Sequence, residues 1–148
     1  MCRVGLAVVL AIAILSGCGR RETDAERQQG VAGDKGREAI KTAKDQIDLF
    51  VIALDRYQQS VGEFPTTKQG LQALRTRPPD WPKSKKWSGP YLNPEVSLHP
   101  LNLELPFDPW GHPYHYCLPG IHHPERFDVW SVGPDGVDGT KDDIGNWK

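Results

Sequence analysis

Apolar and polar positions along the chain fall into two kinds of pattern. Ile40, Ala43, Ile47, Phe50, Val51, Leu54, Tyr57 and Val61 recur at steps of three and four, while Lys41, Lys44, Asp48, Asp55, Arg56 and Gln59 lie largely off that stripe. Such spacing puts the apolar side chains on one face of an α-helix, and it predicts a helix over residues 35–61, ended by Gly62 and Pro65. Thr66 and Gln69 have the spacing of a capping box, after which Leu71 and Leu74 give a short helix that stops before Pro78 and Pro79. Residues 78–106 carry prolines at 78, 79, 82, 90, 94, 100 and 106 and read as extended coil held by Trp81, Trp87 and Tyr91. Asp108-Pro109-Trp110-Gly111 has the chemistry of a turn. His112 to Leu118 and Arg126 to Val132 predict strands, with Pro119-Gly120 turning the chain between them. The expected fold class is α+β, one long helix packed on a small antiparallel sheet.

The first residues do not belong to that domain. Met1 to Arg3 is short and basic, and Val4 to Leu15 is an apolar run containing one glycine. That run is shorter than the ~20 residues a membrane-spanning helix needs, but it fits the apolar region of an export signal. Leu15-Ser16-Gly17-Cys18 resembles the bacterial lipobox, which implies cleavage before Cys18 and a diacylglycerol on its sulfur. An ordinary secretory signal with an incidental cysteine is the alternative. From Gly19 to Gly36 the residues are charged, small and polar, a composition that cannot bury enough surface to fold alone. The resulting division is a lipoprotein signal peptide at 1–17, a lipidated Cys18 with a flexible tether at 18–36, and a globular domain at 37–148. Cys117 is then the one thiol left, so no intrachain disulfide forms, and it reads as a small core residue.

Composition narrows the function classes. The formal net charge of −1 supplies no basic excess for a general nucleic-acid binder. Lys83, Lys85 and Lys86 read as a solvated loop. His112 and His115, three apart on a strand, point to opposite faces and chelate poorly; His122 and His123 read as solvated loop positions. No paired acid and base, no Gly-x-Ser-x-Gly and no phosphate-cradling loop is found, so neither an enzyme nor a small-molecule substrate is expected.

The end of the chain, SVGPDGVDGTKDDIGNW, is different in kind. Asp135, Asp138, Asp142 and Asp143 crowd a stretch too glycine-rich for a helix. Two carboxylates at roughly 4 Å repel by about 4 kcal/mol at an effective dielectric of about 20. Either the side chains splay into water, or a hard cation sits among them. Calcium suits the second outcome because it takes several oxygens, backbone carbonyls included, without rigid geometry. Spacing alone leaves both open, since the alternating aspartates of an EF-hand loop are absent.

A resemblance bears on that choice. ALDRYQQSVGEFPTTKQGLQAL, WSGPYL, PFDPWGHPYHY, FDVWSVGPDG and DDIGNW, in this order over about three quarters of the chain, resemble the periplasmic part of the major pseudopilin of type II secretion systems. The resemblance implies a long helix on a short antiparallel sheet, with calcium held in the last loop by two aspartates and backbone carbonyls. Carried over by position, Asp135 and Asp143 are the aspartates and Val132 gives a carbonyl. Thr140 and Asp142 are further candidates, and Asp138 is left facing solvent or behind the ligands. The partners it implies are other secretion-system pseudopilins or platform proteins, met at the periplasmic face of a bacterial membrane. The N-terminus departs from the family: no leader glycine precedes a long apolar helix, and Leu10 stands where counting from Gly5 would put a glutamate. A lipid anchor replaces that helix in this reading. The competing expectation keeps the fold but makes the chain a free-standing envelope lipoprotein that binds a protein or glycan through Trp81 to Tyr91.

Overall fold

The computed structural model describes residues 24–82, 87–92 and 105–148, with side chains from Gly33 onward. The signal-peptide reading, Cys18 and the lysines at 83, 85 and 86 lie outside the described residues. The long helix, α1, runs Asp24–Val61. It begins well before residue 35, so positions 24–36, read from composition as a tether, are helical. Polarity excludes their burial but not their helicity, because Glu, Arg, Gln and Ala are good helix formers. Exposed pairs on this side of α1, Lys41 to Asp45 at 2.7 Å and Arg37 to Asp34, are screened by solvent and contribute little. No described helix is long and apolar enough to cross a membrane.

The stripe is buried from Ala43 onward, through Ile47, Phe50, Leu54 and Tyr57, with Ala53 joining it and Ile40 left exposed. Gly62 closes the last turn of α1 on the Gln58 carbonyl at 2.7 Å. The capping box forms in both directions: Thr66 N–H donates to Gln69 Oε1 at 3.0 Å and Gln69 N–H to Thr66 Oγ1 at 3.2 Å. The short helix it introduces, Leu71–Leu74, is a single 3-10 turn. The described part of the proline-rich coil is held as expected. Tyr91 N–H donates to the Leu74 carbonyl at 2.7 Å and Trp87 Nε1 to the Ala73 carbonyl at 3.3 Å. Tyr57 meets Trp81 and Tyr91 edge-on at 6.0 and 5.1 Å.

Among the described residues, three antiparallel strands form one sheet in the order β1 (His115–Cys117), β2 (Asp128–Ser131), β3 (Ile144–Gly145). The first two are shorter than the sequence suggests, and β3 falls inside the stretch read as a loop. Val129 and Ile144 enter the core against α1, where Phe50 meets Tyr114 at 5.1 Å. His115, Trp130 and Gly145 pair across the sheet, and His115 stacks on Trp130 at 5.2 Å. Cys117, opposite Asp128, is half-buried outside the core cluster, which corrects its reading as a core residue. The period of two explains this: Tyr116 and Cys117 cannot share a face.

Candidate metal centre

The last residues position the acidic loop, each by a different device. Ile144 is buried in the core. Gly145 leaves room for Trp147, whose ring atoms would lie 2.4 Å from a Cβ there. Asn146 acts as an extra piece of strand: its Oδ1 accepts the Val129 N–H at 3.0 Å, its Nδ2 donates to the Phe127 carbonyl at 3.2 Å, and its own N–H donates to the Val129 carbonyl at 3.1 Å. Trp147 then stacks on His122 at 3.8 Å. Lys148 Nζ donates to the carbonyls of Lys141, at 3.1 Å, and Asp143. The terminus is thereby pinned to β2 on one side and to the loop on the other.

Within the loop, Thr140, Asp142 and Asp143 come together. The Thr140 hydroxyl lies 2.5 Å from Asp142 Oδ1 and 3.4 Å from Asp143 Oδ1, and with one proton it can donate to only one of them. Asp143 is buried and also accepts the Gly139 N–H at 2.9 Å. The Thr140 hydroxyl holds the Asp142 carboxyl below the ordinary carboxylate range, outweighing the cost of desolvation, and backbone N–H groups including that of Asp135 assist. Neither carboxylate is paired with a lysine or arginine among the described residues. Gly133, at φ +68°, packs so closely on Asp142 that a Cβ would stand 2.6 Å from its carbonyl oxygen and 3.0 Å from Oδ2. A side chain here would be strained and would push the loop open.

Asp135 takes part differently. Its N–H reaches Asp142 Oδ2 at 3.4 Å, but its carboxylate accepts the Val137 N–H at 2.9 Å. Val132 is buried directly after β2. Asp138 is exposed and accepts the Trp130 indole N–H at 2.8 Å. Among the described residues no three His, Cys, Asp or Glu side chains converge as a preformed metal site. The donor chemistry nevertheless fits a hard divalent cation: two adjacent carboxylates and a hydroxyl, all oxygen, with no cationic side chain on them. Asp142, Asp143 and Thr140 would hold it, with main-chain carbonyls such as that of Val132, and with Asp135, whose side chain also acts on the Asp142 carboxyl.

Sequence reasoning missed two buried carboxylates beside the loop. Asp128 accepts the His122 N–H at 2.7 Å, and the His122 and His123 Nδ1 atoms lie 3.2 and 2.9 Å from its oxygens. These histidines keep much of their surface in solvent, as read, but each also turns Nδ1 toward a buried anion. Burial pushes the Asp128 carboxyl up, but the His122 backbone, His123 and His122 together bring it below the ordinary range. Asp108, read only as a turn residue, is fully buried at its side chain and bonds Trp110, His112 and Ser131. Alternation sets Asp128 on the face opposite Val129 and so gave no sign of its burial, and nothing local distinguishes Asp108 from a solvated turn aspartate.

Residues 30–147 match the sequence family described as Type II secretion system (T2SS), protein G. The type II secretion system core protein G of Pseudomonas aeruginosa is 40% identical over 112 residues, covering 73% of this chain and 70% of that protein. The core protein G of Escherichia coli K12 is 36% identical over 115 residues, covering 78% of this chain and 72% of its own length. The crystal structure of the major pseudopilin from the type 2 secretion system of enterohaemorrhagic Escherichia coli superposes with a TM-score of 0.64 at 32% identity, over 79% of this chain and 89% of that one. With the long helix, the short antiparallel sheet and the ordered terminal loop in place, the chain belongs to the type II secretion system protein G family.

Proposed function

We propose that this chain is a calcium-stabilised, pseudopilin-like component of a type II secretion or related pilus-type assembly, tethered to the membrane by a lipid on Cys18. It works by contact with other pseudopilins or with platform proteins at the periplasmic face, not by catalysis. The observation that carries the calcium part is the pairing of the Asp142 and Asp143 carboxylates about one Thr140 hydroxyl, with no cationic side chain among the described residues bonded to either. A divalent ion relieves that repulsion and bridges both carboxylates, where the Thr140 hydroxyl alone can serve only one at a time. Bound there, calcium supplies charge neutralisation and a fixed set of bonds, so the loop and the edge of the sheet present one shape to a partner. Family membership supports the assembly role.

Cells expressing the wild-type chain and Cys18→Ala, fed a labelled fatty acid and then cross-linked, test the assembly and the anchor together. The expected result is lipid label on the wild type only, with pseudopilins or platform proteins in its cross-linked products. Equal label on both chains contradicts the anchor. Cross-links confined to unrelated lipoproteins or glycans contradict the assembly role and favour a free-standing envelope protein.

A further inference from the structure

We propose that Asp108, in the turn before β1, is the positioning residue of the terminal loop. Its carboxylate is buried at the side-chain level and works through two arms. On one side, Oδ2 accepts the Ser131 hydroxyl at 2.5 Å, and Ser131 Oγ in turn accepts the Gly133 N–H at 3.0 Å. Gly133 is the residue that packs against the carbonyl and carboxylate of Asp142. On the other side, Oδ1 accepts the N–H groups of Trp110 and His112 at 3.0 and 2.7 Å. The turn is closed by Asp108 N–H to the His112 carbonyl at 2.8 Å and Gly111 N–H to the Asp108 carbonyl at 3.0 Å. This fixes His112, whose Nε2 would be 2.9 Å from a Cβ on Gly136.

One buried carboxylate therefore sets both ends of the Gly133–Gly136 segment, more than twenty residues along the chain and without touching any of the candidate ligands. A serine hydroxyl between two fixed partners has its proton direction determined: it must donate to the carboxylate, so its lone pair must face Gly133. Asp108 acts on loop geometry alone, and ordering of the loop follows from it whatever the loop binds. Its effect on calcium rests on the proposed calcium site.

Asp108→Asn keeps the volume and an acceptor for Trp110 and His112 but puts a donor in place of Oδ2, so the Ser131 hydroxyl loses the acceptor that orients it. Ser131→Ala cuts one arm and leaves the turn bonds intact, so it carries the test where Asp108→Asn folds poorly. Two measurements on the purified full-length chain separate the outcomes: amide hydrogen exchange without metal, and calcium titration followed by tryptophan fluorescence. In both variants, exchange at Gly133, whose N–H bond to Ser131 Oγ is buried, should accelerate roughly tenfold or more, while Tyr116 and Val129 stay at wild-type rates. The calcium midpoint should rise by a similar factor. Equal acceleration in loop and sheet would make Asp108 a merely structural residue, and unchanged loop exchange would overturn the proposal outright. Accelerated loop exchange in a chain whose wild type ignores calcium upholds the positioning role and defeats the calcium site instead.

Discussion

Asp128 shows how a single residue can tie the stability of this chain to pH. Its carboxyl lies below the ordinary range because the donors of His122 and His123 outweigh the cost of burying it. A lowered folded value means that the stabilisation is present above the unfolded value, about 3.9, and is lost as pH falls through the folded one. Urea unfolding at pH 6 and at pH 3 should therefore show a marked acid loss in the wild type. Asp128→Asn should cost roughly 1–3 kcal/mol at pH 6, as expected for partners left unpaired, and should flatten the acid loss. A variant as acid-sensitive as the wild type would mean that other carboxylates carry the effect. The four loop aspartates were legible in the sequence because they are crowded. Asp128 and Asp108 were not, because a buried carboxylate and a solvated one look alike until the fold brings donors to them.

At the scale of elements, legibility followed length. The stripe of α1 spans enough turns that its face, its end at Gly62 and most of its buried positions could be read directly, with Ile40 the exception. Its start could not, since polar residues specify neither a tether nor a solvated helix. β3 has only two residues, Ile144 and Gly145, too few for alternation to show, and side-chain bonds from Asn146 extend it. That device makes a prediction. Asn146→Ala leaves the Val129 N–H and the Phe127 carbonyl without partners and should cost roughly 1–3 kcal/mol. Asn146→Asp, which keeps the acceptor and loses the donor, should fall between it and the wild type. Urea midpoints measure this, and an alanine variant as stable as the wild type would show that β3 does not need its side-chain extension.

For the whole molecule, α1 and the sheet pack into one core, and the acidic loop is fastened to it from three directions. Asn146 and Trp147 hold the terminus, Lys148 holds two loop carbonyls, and the Asp108 relay holds Gly133. The DPWG, SVGPDG and DIGNW motifs map onto these fastenings, which is why a resemblance carried the family and the terminal loop when local patterns carried the helix, the capping box and the first two strands. A loop so anchored leaves little freedom to Asp142 and Asp143, so an ion that satisfies both should stabilise the folded chain by mass action. Calorimetric titration of calcium into the metal-free chain, with melting curves taken in calcium and in chelator, tests this most directly. The account predicts a saturable site and a melting temperature several degrees higher with calcium, both lost in Asp143→Ala. No heat of binding, with superimposable melting curves in calcium and chelator, would contradict it.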